Sequence, residues 1–113
     1  MENANSVLSH YTGTQTHYRY LCHTFITEGV RALAIEFNCY WLLDIVASYQ
    51  PQLKGEDFQV WTLTKHVDES ALVVGTNGND RVLKEQRIPY TDFEPRAATI
   101  WVEGNVMLLP SEH

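Results

Sequence analysis

The sequence predicts an α+β domain, with N-terminal helices packed on a C-terminal antiparallel sheet of about five strands. Three observations predict it. Apolar residues recur at helical spacing from Val30 to Phe37 and again from Leu42 to Tyr49. From Phe58 onward the period shortens to two. Turn-forming pieces, Thr76-Asn-Gly-Asn-Asp80 and Gly104-Asn105, then punctuate the chain at strand-length intervals.

Residues 1–16 are polar and mixed, with Val7, Leu8 and Tyr11 forming one apolar edge of a short helix. Thr12-Gly13-Thr14 ends it, because glycine adopts turn dihedrals at little cost. His17 to Leu21 reads as a short strand or an extended lead into the helices. Thr27 suits the N-cap of the first long helix, and Glu28 then complements the dipole in its first turn. Val30, Leu33, Ala34 and Phe37 make its apolar stripe. Asn38 tolerates the left-handed conformation, so it ends this helix and turns the chain directly into the next.

The second long helix spans about Cys39 to Gln50, and Pro51 stops it. Leu42, Ile45, Val46 and Tyr49 share one arc. Tyr40, Trp41, Asp44, Ala47 and Ser48 share the opposite one, and both arcs are expected to be covered. Asp44 is then a carboxylate inside an apolar helix, which needs a partner. Arg19 or Arg31 would hold it ionised in a bidentate pair, or Ser48, Tyr or Thr hydroxyls and amides would donate to it. Breaking such a buried pair costs about 3–5 kcal/mol.

Five strands follow. Phe58 to Val67 alternates, with Phe58, Val60 and Thr62 on one face and Trp61, Leu63 and Lys65 on the other. Asp68-Glu69-Ser70 turns into a strand at Ala71 to Gly75. Val82 to Tyr90 is a mostly polar third strand, with Val82, Ile88 and Tyr90 on one face and Glu85 and Arg87 on a wet one. Pro89 marks its end or an edge. Ala98 to Glu103 and Val106 to Leu109 flank the Gly104-Asn105 hairpin loop. Val106-Met-Leu-Leu109 is apolar on both faces, so it is central or covered; at an edge, dimerisation would protect it.

Composition bounds the function. The 113 residues fit one domain, 1–113, and 44% are apolar, enough for a core without staples. The formal net charge of −6 argues against binding a nucleic-acid backbone. No apolar run reaches the length of a membrane span, and Met1 to Ser9 is polar, so a cytoplasmic protein with free thiols is expected. Cys39 is expected to pack as a small hydrophobe.

Certain pieces are specific enough to compare: Tyr40-Trp-Leu-Leu-Asp44 and Ala47-Ser-Tyr-Gln-Pro51. Shorter ones are Tyr11-Thr-Gly-Thr14 with His17-Tyr18, Glu28-Gly-Val30, Phe58-Gln-Val-Trp61, Tyr90-Thr-Asp-Phe93 and Leu109-Pro-Ser-Glu112. Together they resemble a family of small bacterial, cyanobacterial and phage proteins, a domain of unknown function. The resemblance implies a single cytoplasmic domain. It carries no known activity, so it assigns no functional residue. Asn38 departs from the small residue, such as Gly, expected there.

Chemistry-bearing residues are sparse. His17, Cys22 and His23 lack the spacing of a zinc site, and no metal or cofactor is expected. Ser48 follows Asp44 by one turn, but no Gly-x-Ser-x-Gly elbow and no phosphate loop are present. The candidate set is His17, Tyr18, Arg19, Tyr40, Trp41, Asp44 and Ser48, read either as a structural network or as a site. The leading expectation is a non-enzymatic module that binds a protein or a small ligand, as a homodimer or homo-oligomer. The alternative is a small hydrolase or isomerase with His17, Tyr18, Arg19 and Asp44 around one cleft.

Overall fold

Helices and strands follow from the local signals in order. The computed structural model describes residues 3–12 and 16–113, so Gly13 and Thr14 of the expected helix breaker lie outside the described residues. The elements are α1 (Ala4–Val7), β1 (His17–Arg19), β2 (Phe25–Thr27), α2 (Glu28–Glu36), α3 (Tyr40–Tyr49), β3 (Phe58–Lys65), β4 (Ala71–Thr76), β5 (Val82–Ile88), β6 (Ala97–Glu103) and β7 (Val106–Leu108). Thr27 caps α2 as expected, its hydroxyl accepting from the Val30 N–H at 3.2 Å. Asn38 is left-handed at φ 50°, which lets α2 turn into α3 within three residues. Pro51 sits in a 3-10 turn, Gln50–Gln52, that ends α3.

The class is α+β, but the sheet has seven strands and is mixed rather than five and antiparallel. Its order is β1-β2-β7-β6-β3-β4-β5. The five expected strands are β3 to β7. Of the two added ones, β1 falls within His17 to Leu21, read as a short strand or an extended lead, whereas β2 is unanticipated; each has three residues, too few to display an alternation. β2 runs parallel to β7, with Ile26 opposite Met107, and every other pair is antiparallel. β7 is therefore central, which is why it is apolar on both faces. Gly104 and Asn105 both take positive φ, 54° and 68°, as a two-residue hairpin loop demands.

β7 is short, so it leaves part of β6 uncovered. The Asn5 carboxamide fills the gap, donating to the Thr99 C=O at 2.9 Å and accepting the Thr99 N–H at 2.6 Å. A side chain thus replaces a missing strand, and α1 is pinned to the sheet.

All helices lie on one face. Leu33 and Ala34 of α2, and Leu42, Leu43, Val46 and Ala47 of α3, are buried against Trp61, Leu63, Val73, Ala98, Ile100 and Val102. Each large aliphatic group buried there contributes about 1.5–3 kcal/mol. Cys39 is buried as expected, and burial pushes its thiol up to about 12. Cys22 is exposed, and both cysteines are free.

Two expectations need correction. Only one arc of α3 is covered: Tyr40, Asp44 and Ser48, one turn apart, face water. The sheet and α2 bury the 42, 43, 46 and 47 positions, and Trp41, Ile45 and Tyr49 are half-buried beside them. In β5, a bulge at Gly75 and Thr76 places Val82 opposite Thr76, while Ile88 pairs with Ala71 on the other face. Val82 and Ile88 therefore do not share a face, and Tyr90 lies beyond the strand at 70% exposure.

Candidate functional site

Strand alternation distributes the candidate residues. Tyr18 pairs with buried Ile26, so it points toward the helices, and His17 and Arg19 point to the helix-free face. Tyr18 carries the Arg31 guanidinium 4.9 Å above its ring. His17 borders a shallow 170 Å³ hollow with Thr27, Glu103, Val106, Leu108 and Glu112. Arg19 borders a separate hollow of 470 Å³ with Tyr20, Cys22, His23, Thr24 and Phe25. Its floor is the β1–β2 turn, in which Cys22 and His23 both take positive φ.

Asp44 is exposed on α3, and its partner is Tyr20, whose hydroxyl donates to Asp44 Oδ1. The Tyr20 and Tyr40 rings stack beside it, with centroids 6.4 Å apart and planes at 18°. Burial, followed by the bond to Asp44, holds the Tyr20 hydroxyl well above the usual phenol range. Tyr20 therefore stays a donor at neutral pH. Neither Arg19 nor Arg31 pairs with Asp44. Ser48 returns its hydroxyl to the Ile45 C=O at 2.8 Å. Trp41 borders a third hollow, 500 Å³, with Ile45, Ile88, Tyr90, Thr91 and Asp92.

The structure thus brings together Tyr40 and Asp44, with Tyr20 added, and separates the rest. His17 points to the helix-free face of the sheet, whereas Asp44 stands on α3 on the other side. Among the described residues, no cluster of three His, Cys, Asp or Glu side chains is placed to hold a metal ion. No helix of the described residues is long and apolar enough to cross a membrane.

Two buried polar constellations lie outside the candidate set. Glu112 is 8% exposed, and its carboxylate accepts from Thr27 Oγ1 at 2.6 Å, Leu109 N–H at 2.9 Å and Gly29 N–H at 3.0 Å. Three donors at a helix N-terminus suit a carboxylate and leave it little capacity for a substrate. The sequence signal was Thr27 with Gly29, a cap followed by a residue without a side chain. The second is an amide pair. Gln50 and Gln59 exchange two 2.9 Å bonds, and Trp61 Nε1 donates to Gln59 Oε1 at 2.8 Å. Both constellations are fully satisfied, as structural groups are.

The helix-free face is the remaining feature. In register across β7, β6 and β3 it carries Leu108, Trp101 and Val60, then Thr99, Thr62 and Val74 across β6, β3 and β4. Phe58, Leu72 and Val106 extend it. These are mostly half-buried by one another. The end of the chain folds onto one corner, where His113 packs edge-on to Trp101 at 5.2 Å and Phe58 packs edge-on to Trp101 at 5.3 Å. No helix of the described residues covers the rest.

No curated protein and no solved structure matches the chain. A sequence family does: the profile of the "Family of unknown function (DUF6876)" matches residues 2–113, nearly the whole length, and the chain belongs to that family.

Proposed function

We propose that the protein is a non-enzymatic interaction module that docks a partner protein on the helix-free face of its sheet. One observation carries this reading: Trp101, Val60, Val74 and Leu72, all half-buried, neighbour one another on the helix-free face with no described helix over them. Contiguous apolar patches of this kind mark interaction sites, and tryptophan is enriched at their centres. Glu85, Arg87 and Glu103 at its margins supply a polar rim. The saturated bonding of Glu112, Gln50 and Gln59 favours the same reading, since it spends the buried polar groups on structure.

The test compares the native chain with a Val60→Glu/Val74→Glu variant whose fold is verified by circular dichroism. The variant is expected to lose the proteins that the native chain retains from its own host extract. Equal retention by both would reject the face as the docking surface.

A further inference from the structure

The sheet has two edges, and they differ. β1 has three residues and β5 has seven. Short edge strands are protected by their length, whereas a long one offers a row of unpaired N–H and C=O groups. The ladder identifies those groups. The His66 N–H donates to the Ser70 C=O, so even-numbered residues of β4 bond toward β3 and odd-numbered ones toward β5. Glu85 and Arg87 pair with Val74 and Leu72, which bond the other way. The backbone groups of Glu85 and Arg87 therefore point outward from the sheet.

The neighbouring side chains of β5 are engaged with the helical side. Lys84 donates to Gln52 Oε1 at 2.8 Å, and Tyr49 donates to Gln86 Oε1 at 2.9 Å. Glu85 and Arg87 are exposed on the opposite face and form no ion pair among the described residues.

We infer that β5 is the interface of a two-fold homodimer, pairing antiparallel with the β5 of a second copy about Gln86. Charge complementarity selects the occupant and the register. A dyad at Glu85 sets two glutamates opposite each other, and a dyad at Arg87 sets two arginines. A dyad at Gln86 sets Glu85 opposite the partner's Arg87, twice by symmetry. In that register the outward backbone groups of Glu85 and Arg87 meet those of the partner's Arg87 and partner's Glu85, completing four ladder hydrogen bonds. Charges at an edge ordinarily discourage pairing. Opposite charges two residues apart do the reverse for a second copy of the same strand. The two sheets then join into one, and the helix-free faces become continuous.

The test is a charge-reversal cycle on the full chain, read by sedimentation equilibrium. The native chain is expected to dimerise. Glu85→Arg and Arg87→Glu are each expected to weaken the dimer about tenfold or more, because each sets like charges opposite one another twice. The double reversal is expected to restore it to within a few-fold of native. Hydrogen exchange supplies the second readout: the Glu85 and Arg87 amides are expected to slow as protein concentration rises. A native chain that stays monomeric overturns the inference, and so does a dimer that neither single reversal weakens. Retention of host proteins is scored separately with the Val60→Glu/Val74→Glu variant, so failure of the edge pairing does not decide the docking face.

Discussion

Glu112 accepts a 2.6 Å hydrogen bond from Thr27, 85 residues earlier in the chain. Thr27 is both the last residue of β2 and the N-cap of α2, so its hydroxyl accepts from Val30 while donating to Glu112. The last turn of the chain is thereby clasped to the start of its first long helix. Glu112→Ala leaves Thr27 Oγ1 and the N–H groups of Gly29 and Leu109 without their acceptor. The expected loss is about 3 kcal/mol in urea unfolding of the full chain. Glu112→Gln keeps the shape and restores part of it. A loss below about 1 kcal/mol for the alanine variant would show the clasp to be idle.

Gly29 stands where a methyl group has no room. A Cβ there would lie 2.6 Å from Glu112 Cδ and Oε1. Gly29→Ala is therefore expected to cost about 1–3 kcal/mol in the native background, by displacing the carboxylate. With Glu112→Ala already present the obstacle is gone, and alanine is the better helix residue by up to about 1 kcal/mol. The sign of the Gly29→Ala effect should thus reverse between the two backgrounds. A double-mutant cycle by urea unfolding measures it, and equal effects in both backgrounds would separate Gly29 from the clasp.

Long elements were legible in the sequence because each repeats its period several times. β3, with Trp61 and Leu63 inward, and α2, between Thr27 and Asn38, are of this kind. β2 was hidden because three residues carry one alternation and because it runs without a break into the Thr27 cap, while β1 showed only as a short strand or an extended lead. The bulge at Gly75 and Thr76 left no mark beyond a glycine. For the candidate residues the limit was different. A helical wheel gives angles around α3 but not what covers each angle, so Asp44 looked enclosed when it faces water. Tyr20 and Glu112 meet their partners through tertiary contact across 24 and 85 residues, which no local pattern encodes.

Exposure changes what Asp44 is worth. The enclosed carboxylate expected from the wheel would cost several kcal/mol to strip of its partner. The exposed one, bonded to Tyr20, is expected to cost about 1 kcal/mol or less as Asp44→Ala. Thermal unfolding checks this, and a loss near 4 kcal/mol would restore the enclosed picture.

The Tyr20–Asp44 pair also predicts an alkaline response. The folded hydroxyl is held above its ordinary value of 10.0, by burial first and by Asp44 next. A raised folded value means that Tyr20 contributes its stability fully below the unfolded value and loses it as pH rises through the folded one. Stability should therefore decline above about pH 10 as the unfolded phenol ionises. In Asp44→Asn the carboxylate charge is gone, leaving burial and the neighbouring Tyr40 to raise the group, so Tyr20 should ionise at lower pH. Tyrosinate absorbance in the folded chain, compared between native, Asp44→Asn and Tyr20→Phe, resolves it. Identical titrations for native and Asp44→Asn would mean that the carboxylate does not act on Tyr20.

Gln50 and Gln59 tie the end of α3 to the core of β3, and the order of their mutational costs follows from satisfaction. Gln59→Leu removes the acceptor of Trp61 Nε1 and both bonds to the Gln50 amide. Both abandoned partners are buried, so the expected cost is about 2–4 kcal/mol. Adding Gln50→Leu removes the abandoned Gln50 amide together with its 3.0 Å bond to the Val46 C=O, leaving the Trp61 N–H and the Glu56 C=O, which has lost the 3.2 Å bond from Gln59 Nε2. The double variant should be more stable than Gln59→Leu alone, against the additive expectation. Urea unfolding followed by Trp fluorescence orders the variants. A double variant less stable than the single would mean that the glutamines contribute separately rather than as one closed pair.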